Sequence, residues 1–375
     1  MAITAPDEWM CHQTVSTFDH VDNGDMQWTE RAWVAGFEKT GKMQIAFGIG
    51  KYTNRNVMDA SIAIVVDNKT QYNVRASRQL FPDFDAYKVG PVAYEIVEPL
   101  QVIRMKVDDN KTGVSCDIEM VGTTEISEQK PQMFKRRAGR LVNHMIRYFQ
   151  AGTMRGWIKI GDQTIQVNEK DWWAGRDRSW GVRSATGEFC DENGNNSNLL
   201  GGLQERGNGV PYRWNFFILQ FEDWYANYEF AQTPAGERMG PALGHLHFTT
   251  GDKKTLKIID VIHRWEFHPG TQRIKSIHES IHTDDGDVRE VMIEPVSVCY
   301  RRPGGGIYGG WNGHAQGVWM GQQWLEGEAM DLTDADLVRK LHFVDDYAFR
   351  CTYKNQTGYG LCEPLIPGRS EQLTT

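Results

Sequence analysis

The sequence contains one literal metalloprotease signature, HESIH at 278–282. In that signature two histidines, here His278 and His282, bind zinc and the glutamate, here Glu279, activates a water. Both imidazoles must then share one helical face. The segment reads differently here: RIKSIHESIH, then TDDGD, then VREVMIEPV, which is strand, Asp-Gly turn, strand. On a strand the two histidines stand about 13 Å apart, too far to share an ion. A structural hairpin is therefore expected. GHLHF places His245 and His247 on one face of a strand, as in His-ligated metal sites, but Asp252 is a poor match for the acidic ligand. A polar lining for a cavity serves equally well. FGIGKY (47–52) and PGGGIYGG (303–310) are glycine-rich. Neither has the GxGxxG or GxxxxGK[ST] spacing that aims helix-end amides at phosphate, so no organic cofactor is indicated. GxSxG is absent too, which argues against an elbow-type serine hydrolase.

The remaining concentration of chemistry is RYFQAGTMRGWIKIGDQTIQVNEKDWWAGRDRSWGVR at 147–183. Asp177 lies between Arg176 and Arg178 and is followed by Trp180 and Arg183. An aspartate among guanidiniums is normally an ionised strut with its pKa pushed down. An aspartate walled by Trp172, Trp173 and Trp180 is instead desolvated, its pKa raised, and fit to act as a general acid. The local residues alone favour the strut.

This segment resembles the carotenoid 1,2-hydratase (hydroxyneurosporene synthase) and AttH-like superfamily. YFQ (148–150), GWIKIGD (156–162) and GRDRSWG (175–181) hold the places of that superfamily's paired-aromatic strand, Gly-turn hairpin and aspartate corner. GGGIYGG and GYGLCE (358–363) are similar to segments of a bacterial branch of it. The resemblance implies two tandem lipocalin-like β domains with a hydrophobic cavity at or near their junction. It also implies acid chemistry on isoprenoid or related substrates without an organic cofactor, with the proton donor falling on Asp177. Arg178 stands where those proteins carry a histidine, and Gly175-Arg176 where they carry an aromatic pair.

The elements that must position these residues are strands. ASIAIVV and TQYNVRAS flank a DNK turn, MRGWIKI and QTIQV flank Gly161-Asp162, and β-branched and aromatic runs continue beyond residue 210. Helices are few: TDADLVRKLH, capped at Thr333, and a second within PQMFKRRAGRLVNHMIRYFQ. The aperiodic, Gly- and Asn-rich stretch 190–211 divides the chain into expected domains at 1–190 and 200–375. This makes the chain all-β: two antiparallel barrels or sandwiches.

Composition sets the outer limits. A net charge of −8, with KRRAGR (135–140) as the densest basic cluster, speaks against a nucleic-acid partner. Six scattered cysteines without a CxxC pair fit reduced thiols in a cytoplasmic protein. Neither a signal peptide nor an integral membrane segment is expected. The expected activity is a cofactor-independent lyase or isomerase on a hydrophobic terpenoid, steroid or aromatic small molecule. Asp177, Arg178 and Arg183 would be catalytic; Trp173, Trp180, Trp214, Tyr148, His245 and His247 would line the substrate site. The alternatives are a non-catalytic lipocalin-like binder and a His-ligated metal enzyme. Oligomeric state is not indicated.

Overall fold

The computed structural model describes residues 21–183 and 213–365, apart from 84–85, 131, 138–139, 234–236, 239, 252–254 and 272, together with residues 3, 5–10 and 12. The first half begins as a four-strand meander: β1 (Trp28–Glu38), β2 (Met43–Tyr52), β3 (Val57–Val66) and β4 (Thr70–Gln79). Next come β5 (Lys88–Val89), β6 (Val92–Glu98), β7 (Val102–Val107), β8 (Val114–Gly122) and β9 (Ser127–Glu128). It ends with β10 (Met133–Arg137), β11 (Arg140–Ile160), β12 (Gln163–Val167) and β13 (Trp172–Arg183). The second half contains β14 (Arg213–Gln220), β15 (Trp224–Gln232), β16 (Leu243–Phe248), β17 (Leu256–Phe267), β18 (Ile274–Thr283) and β19 (Val288–Tyr300). It closes with β20 (Gln323–Asp331), α1 (Ala335–Leu341), β21 (Asp345–Tyr353) and β22 (Gln356–Leu365).

Among the described residues these strands make one curled sheet and one closed barrel, as the all-β expectation requires. The sheet runs β20-β4-β3-β2-β1-β13-β11-β8-β7-β6-β5, with β9, β10 and β12 also paired to β11. Arg78 Nε on β4 donates to Lys88 O on β5 at 2.7 Å, which draws the far edge of the sheet round towards its start. The barrel is β14-β15-β16-β17-β18-β19-β21-β22.

Strand β2 (MQIAFGIGKY) is buried at every position, on both faces. That explains its lack of polar–apolar alternation: one face meets the sheet's own core and the other meets the barrel. Ile45, Phe47 and Ile49 belong to the first core. Trp33, Phe37, Ala46, Phe149 and Trp173 pack instead with barrel residues Phe216 and Ile218.

Two expectations differ from the structure. The segment 131–150 forms β10 and β11 rather than a helix. LVNHMIRYFQ is rich in aromatic and β-branched residues, and its partner β13 fixes it as strand from Asn143 onwards. Asp334, not Thr333, caps α1: its Oδ1 accepts from the amides of Asp336 (2.8 Å) and Leu337 (3.2 Å). β20, from the second half, pairs with β4 and completes the edge of the first sheet. The boundary expected at 190–211 lies outside the described residues. No described helix is long and apolar enough to cross a membrane.

Candidate functional site

Strand β13 sorts the aspartate corner by parity. Side chains alternate faces, so Asp177 points one way and its sequence neighbours Arg176 and Arg178 point the other. Asp177 lies between Trp33 on β1 and Phe149 on β11, and this row faces the barrel. The barrel presents a matching outward row: Glu363 on β22 and Glu229 on β15, both paired with Phe216 on β14, with Asp346 at the start of β21.

The two rows interlock. Trp33 Nε1 donates to Asp346 Oδ2 at 3.1 Å, and the Phe149 and Phe216 rings lie 4.8 Å apart. Arg147 bridges the gap, with Nε 3.7 Å from Asp177 Oδ2 and Nη1 3.7 Å from Glu229 Oε2. Gln129 Nε2 donates to Glu229 Oε1 at 2.6 Å. Arg301, just beyond β19, donates to Asp346 Oδ1 at 3.1 Å and to Glu363 Oε1. Its guanidinium covers the Trp33 ring at 5.2 Å and the Tyr308 ring at 4.2 Å. Arg183, at the end of β13, donates to Tyr308 Oη at 3.2 Å.

Four carboxyls (Asp177, Glu229, Asp346, Glu363) thus meet three guanidiniums (Arg147, Arg183, Arg301), an imbalance that favours retention of a proton. Burial pushes the Asp346 carboxyl well above the ordinary range; Arg301 opposes this and the Glu363 charge adds to it. Glu363 is raised by burial, against Arg301, with the Asp177 charge adding to the rise. Glu229 is raised by burial, against the attraction of Arg147 and the hydrogen bonds of Trp214 and Gln129. Burial would raise the Tyr308 hydroxyl too, but Arg183, Arg301 and Arg31 together hold it below its usual value. The side-chain exposures separate roles: 16% for Asp177 against 7% for Glu229, 9% for Glu363 and 0% for Asp346.

The residues expected from sequence divide among three places. Asp177 and Arg183 are in the junction; Trp214 stacks on Phe216 at 5.8 Å and joins them. Trp173 shares their face further along β13, where its Nε1 donates to Gln220 Oε1 at 3.1 Å. Arg178, Trp180 and Tyr148 lie on the opposite face, inside the curled sheet, with Arg176. There they grip the N-terminal segment. Glu8 accepts from Arg176 Nη1 (3.0 Å) and Tyr148 Oη (2.7 Å). Arg178 pairs with Glu30 at 2.7 Å and donates to Trp9 O at 3.0 Å, while Trp180 stacks on His12 at 3.7 Å. The partner of Asp177 is Arg147, not Arg176 or Arg178.

His245 and His247 lie on β16, as expected for a strand. His247 Nε2 lies 2.8 Å from Ser127 Oγ of the first sheet, and burial, with His245 beside it, lowers its pKa to about 4. HESIH forms part of β18, with Glu279 facing inward and His278 and His282 outward, the strand geometry read from the sequence. Among the described residues, no group of three or more His, Cys, Asp or Glu side chains is arranged to hold a metal ion.

Arg147, Glu229, Arg301 and Asp346 were not legible as site residues. Tyr308 and Glu363 sit in GGGIYGG and GYGLCE, segments the resemblance had marked without assigning a residue.

A curled sheet packed on a closed eight-strand barrel, with a polar cell between them, is a two-domain lipocalin-like fold. The chain belongs to the family of unknown function DUF8625, which matches residues 3–373. Its fold is shared with a putative AttH protein from Nitrosomonas europaea, at a TM-score of 0.52 and 13% identity over 91% of this chain and 93% of that one. Kievitone hydratase from Nectria haematococca superposes at a TM-score of 0.48 and 10% identity, over 90% of this chain and 89% of that one. CghA does so at 0.48 and 8%, over 91% and 89%. The Nitrosomonas europaea protein carries the AttH name of the superfamily that the aspartate corner resembles. No curated protein matches the sequence.

Proposed function

We propose that this protein is a cofactor-independent lyase or isomerase that works by acid catalysis in the junction. Its substrate is a hydrophobic terpenoid, steroid or aromatic molecule. The observation that carries the reading is Asp177: the most open carboxyl of a four-carboxyl cluster, flanked on its own sheet by Trp33 and Phe149. A substrate lying against those rings presents an alkene carbon, or a hydroxyl about to leave, to the acid. Asp177 gives up the proton; the cation that forms is stabilised by the faces of Trp33, Phe149 and Trp214. Water then adds and returns its proton to the Asp177 carboxylate, or the adjacent carbon loses one to it, so the acid is restored. Burial raises the pKa of both Asp346 and Glu363, which Arg301 joins, so a proton is retained within the cluster for the acid. Arg183 and Tyr308 orient a substrate oxygen.

A second reading is a carrier of an apolar ligand, favoured by Arg147, which bridges Asp177 and Glu229 across the two domains as a strut would. One comparison separates them. Substrates of the named classes are incubated in deuterated water, and deuterium uptake is followed for the wild type and for Asp177→Asn. Loss of uptake with an unchanged melting temperature supports the acid. A lowered melting temperature with uptake intact defeats it and leaves the carrier.

A further inference from the structure

The lumen of the barrel contains a second polar centre, on the opposite face of the barrel strands from the junction acids. Along β18 the buried positions Ile277, Glu279 and Ile281 point inward. Glu279 is 0% exposed and lies opposite His263 on β17 and Val291 on β19. Tyr228 Oη donates to Glu279 Oε2, whereas Glu279 Oε1 has no hydrogen-bond partner. Burial pushes the Glu279 carboxyl up to about 8, against the Tyr228 hydrogen bond and the Arg238 charge, so it is a neutral acid at pH 7. With Tyr228 donating to Oε2, the carboxyl proton sits on Oε1. This is a buried O–H donor aimed into the lumen, where polar groups are as a rule paired. Arg238 supplies an N–H donor nearby: its guanidinium lies 4.4 Å over the Phe230 ring, Nη2 holds Asp260 Oδ1 at 2.9 Å, and Nη1 is buried without a hydrogen-bond partner.

The path to this centre is aromatic. His263, Trp265 and Phe267 are successive inward positions of β17, each half-buried, next to fully buried Val261. Their rings form a ladder from Phe230: 4.8 Å to His263, 5.3 Å on to Trp265, and 6.1 Å on to Phe267. Elsewhere in the barrel core Phe221, Trp224 and Tyr353 pack against one another, with ring centres 4.6 to 5.9 Å apart. Eight-strand barrels have interiors of the size that holds side chains or one small ligand.

We propose that this lumen is a binding site of its own for a flat, apolar, neutral molecule bearing a ketone oxygen. The ligand enters along the ring ladder, and its oxygen accepts from Glu279 and Arg238. The groups facing Glu279 are Tyr228, His263, Arg238, Cys351 and Cys362; burial pushes Tyr228 and both thiols well up, so they stay neutral near pH 8.

The probe is prodan, a dimethylaminonaphthalene carrying a propionyl ketone, titrated into full-length protein and followed by its emission shift. Saturable binding is expected, weakened roughly tenfold in Glu279→Leu, the worth of one buried hydrogen bond. Glu279→Gln keeps a donor and should bind within about threefold of wild type. Wild-type affinity should fall as the pH passes about 8, while the Gln variant stays flat. Trp265→Ala should weaken binding as well, with circular dichroism confirming that each variant is folded. Asp177→Asn should bind prodan as wild type does, whatever it does to turnover, so failure here is distinct from failure at the junction. Absence of saturable binding, equal binding by folded Glu279→Leu, or loss of binding only in Asp177→Asn would overturn the proposal.

Discussion

Replacing Glu279 by glutamine removes one titration from the barrel core and leaves its shape almost unchanged. In the folded wild type this carboxyl titrates near 8 rather than at its ordinary 4.5. Its folded value is the higher one, so between those two pH values the folded chain holds a proton that the unfolded chain has released. Stability from this group is therefore greatest below pH 4.5 and drains away as the pH rises towards 8. The slope is about 1.4 kcal/mol per pH unit, or about 5 kcal/mol over the whole interval. Glutamine does not titrate, and its carbonyl still accepts from Tyr228. Guanidinium unfolding of both proteins across this range isolates the effect, because every other titrating group cancels in the difference. From pH 5.5 to 7.5 the wild type should lose about 2.7 kcal/mol relative to Glu279→Gln. By pH 8 the variant should be the more stable of the two. Parallel stability curves would refute the reasoning: they would mean that Glu279 is already ionised in the barrel, or that water reaches it freely.

Arg178→Met should cost about 3–5 kcal/mol in the same assay, because it leaves the Glu30 carboxylate buried without the guanidinium 2.7 Å away. Unchanged stability combined with lost turnover would instead place Arg178 in catalysis, as the sequence alone suggested. Gly360→Ala should cost at least about 2 kcal/mol, since the new methyl would run into Ile218 O and the edge of the Phe349 ring. Thermal unfolding of that variant within a degree or so of wild type would show that β22 can shift to make room.

What the sequence disclosed, and what it hid, follows from period and distance along the chain. The hairpin at HESIH was legible because the TDDGD turn interrupts any helix, and the turn placed Glu279 on a strand. The strands of 131–150 were hidden because RLVNHMIRYFQ spaces its apolar residues in threes and fours as well as in twos. Pairing with β13 decides it, and that partner lies far along the chain. Asp177 stands out in the sequence, but adjacency suggests the wrong partners for it. A strand puts adjacent residues on opposite faces, so Arg176 and Arg178 serve Glu8 and Glu30 while Arg147, on the next strand, serves Asp177. Asp346 gave no signal, and Glu363 none beyond its place in GYGLCE, because an acid in a strand ordinarily marks a solvated face. Their burial results from the barrel docking on the sheet, a contact between segments that no local pattern encodes.

That docking is held by more than the junction itself. After β19 the chain leaves the barrel, crosses the outer face of the first sheet, supplies β20 to its edge, and only then returns to the barrel as β21. The crossing is tied down by backbone and side chain: Gly306 N donates to Ser61 Oγ at 2.7 Å, and Gly317 N to Asp59 Oδ2 at 2.6 Å. Arg75 pairs with Glu328 of β20, and Gln71 exchanges hydrogen bonds with the backbone of Tyr300 at 2.8 and 2.9 Å. Opening the junction like a hinge would have to break these along with the Trp33–Asp346 contact. The acids and guanidiniums are consequently fixed before any ligand arrives. Dipoles and charges that need no rearrangement when charge develops are what a water-poor site requires to stabilise a cation or an oxyanion. Arg301 shows how closely the two functions are joined. It is the residue that begins the crossing, and its guanidinium also holds Asp346 and Glu363 and covers the ring of Trp33. The strap that fixes one domain on the other therefore begins inside the charged cell it protects.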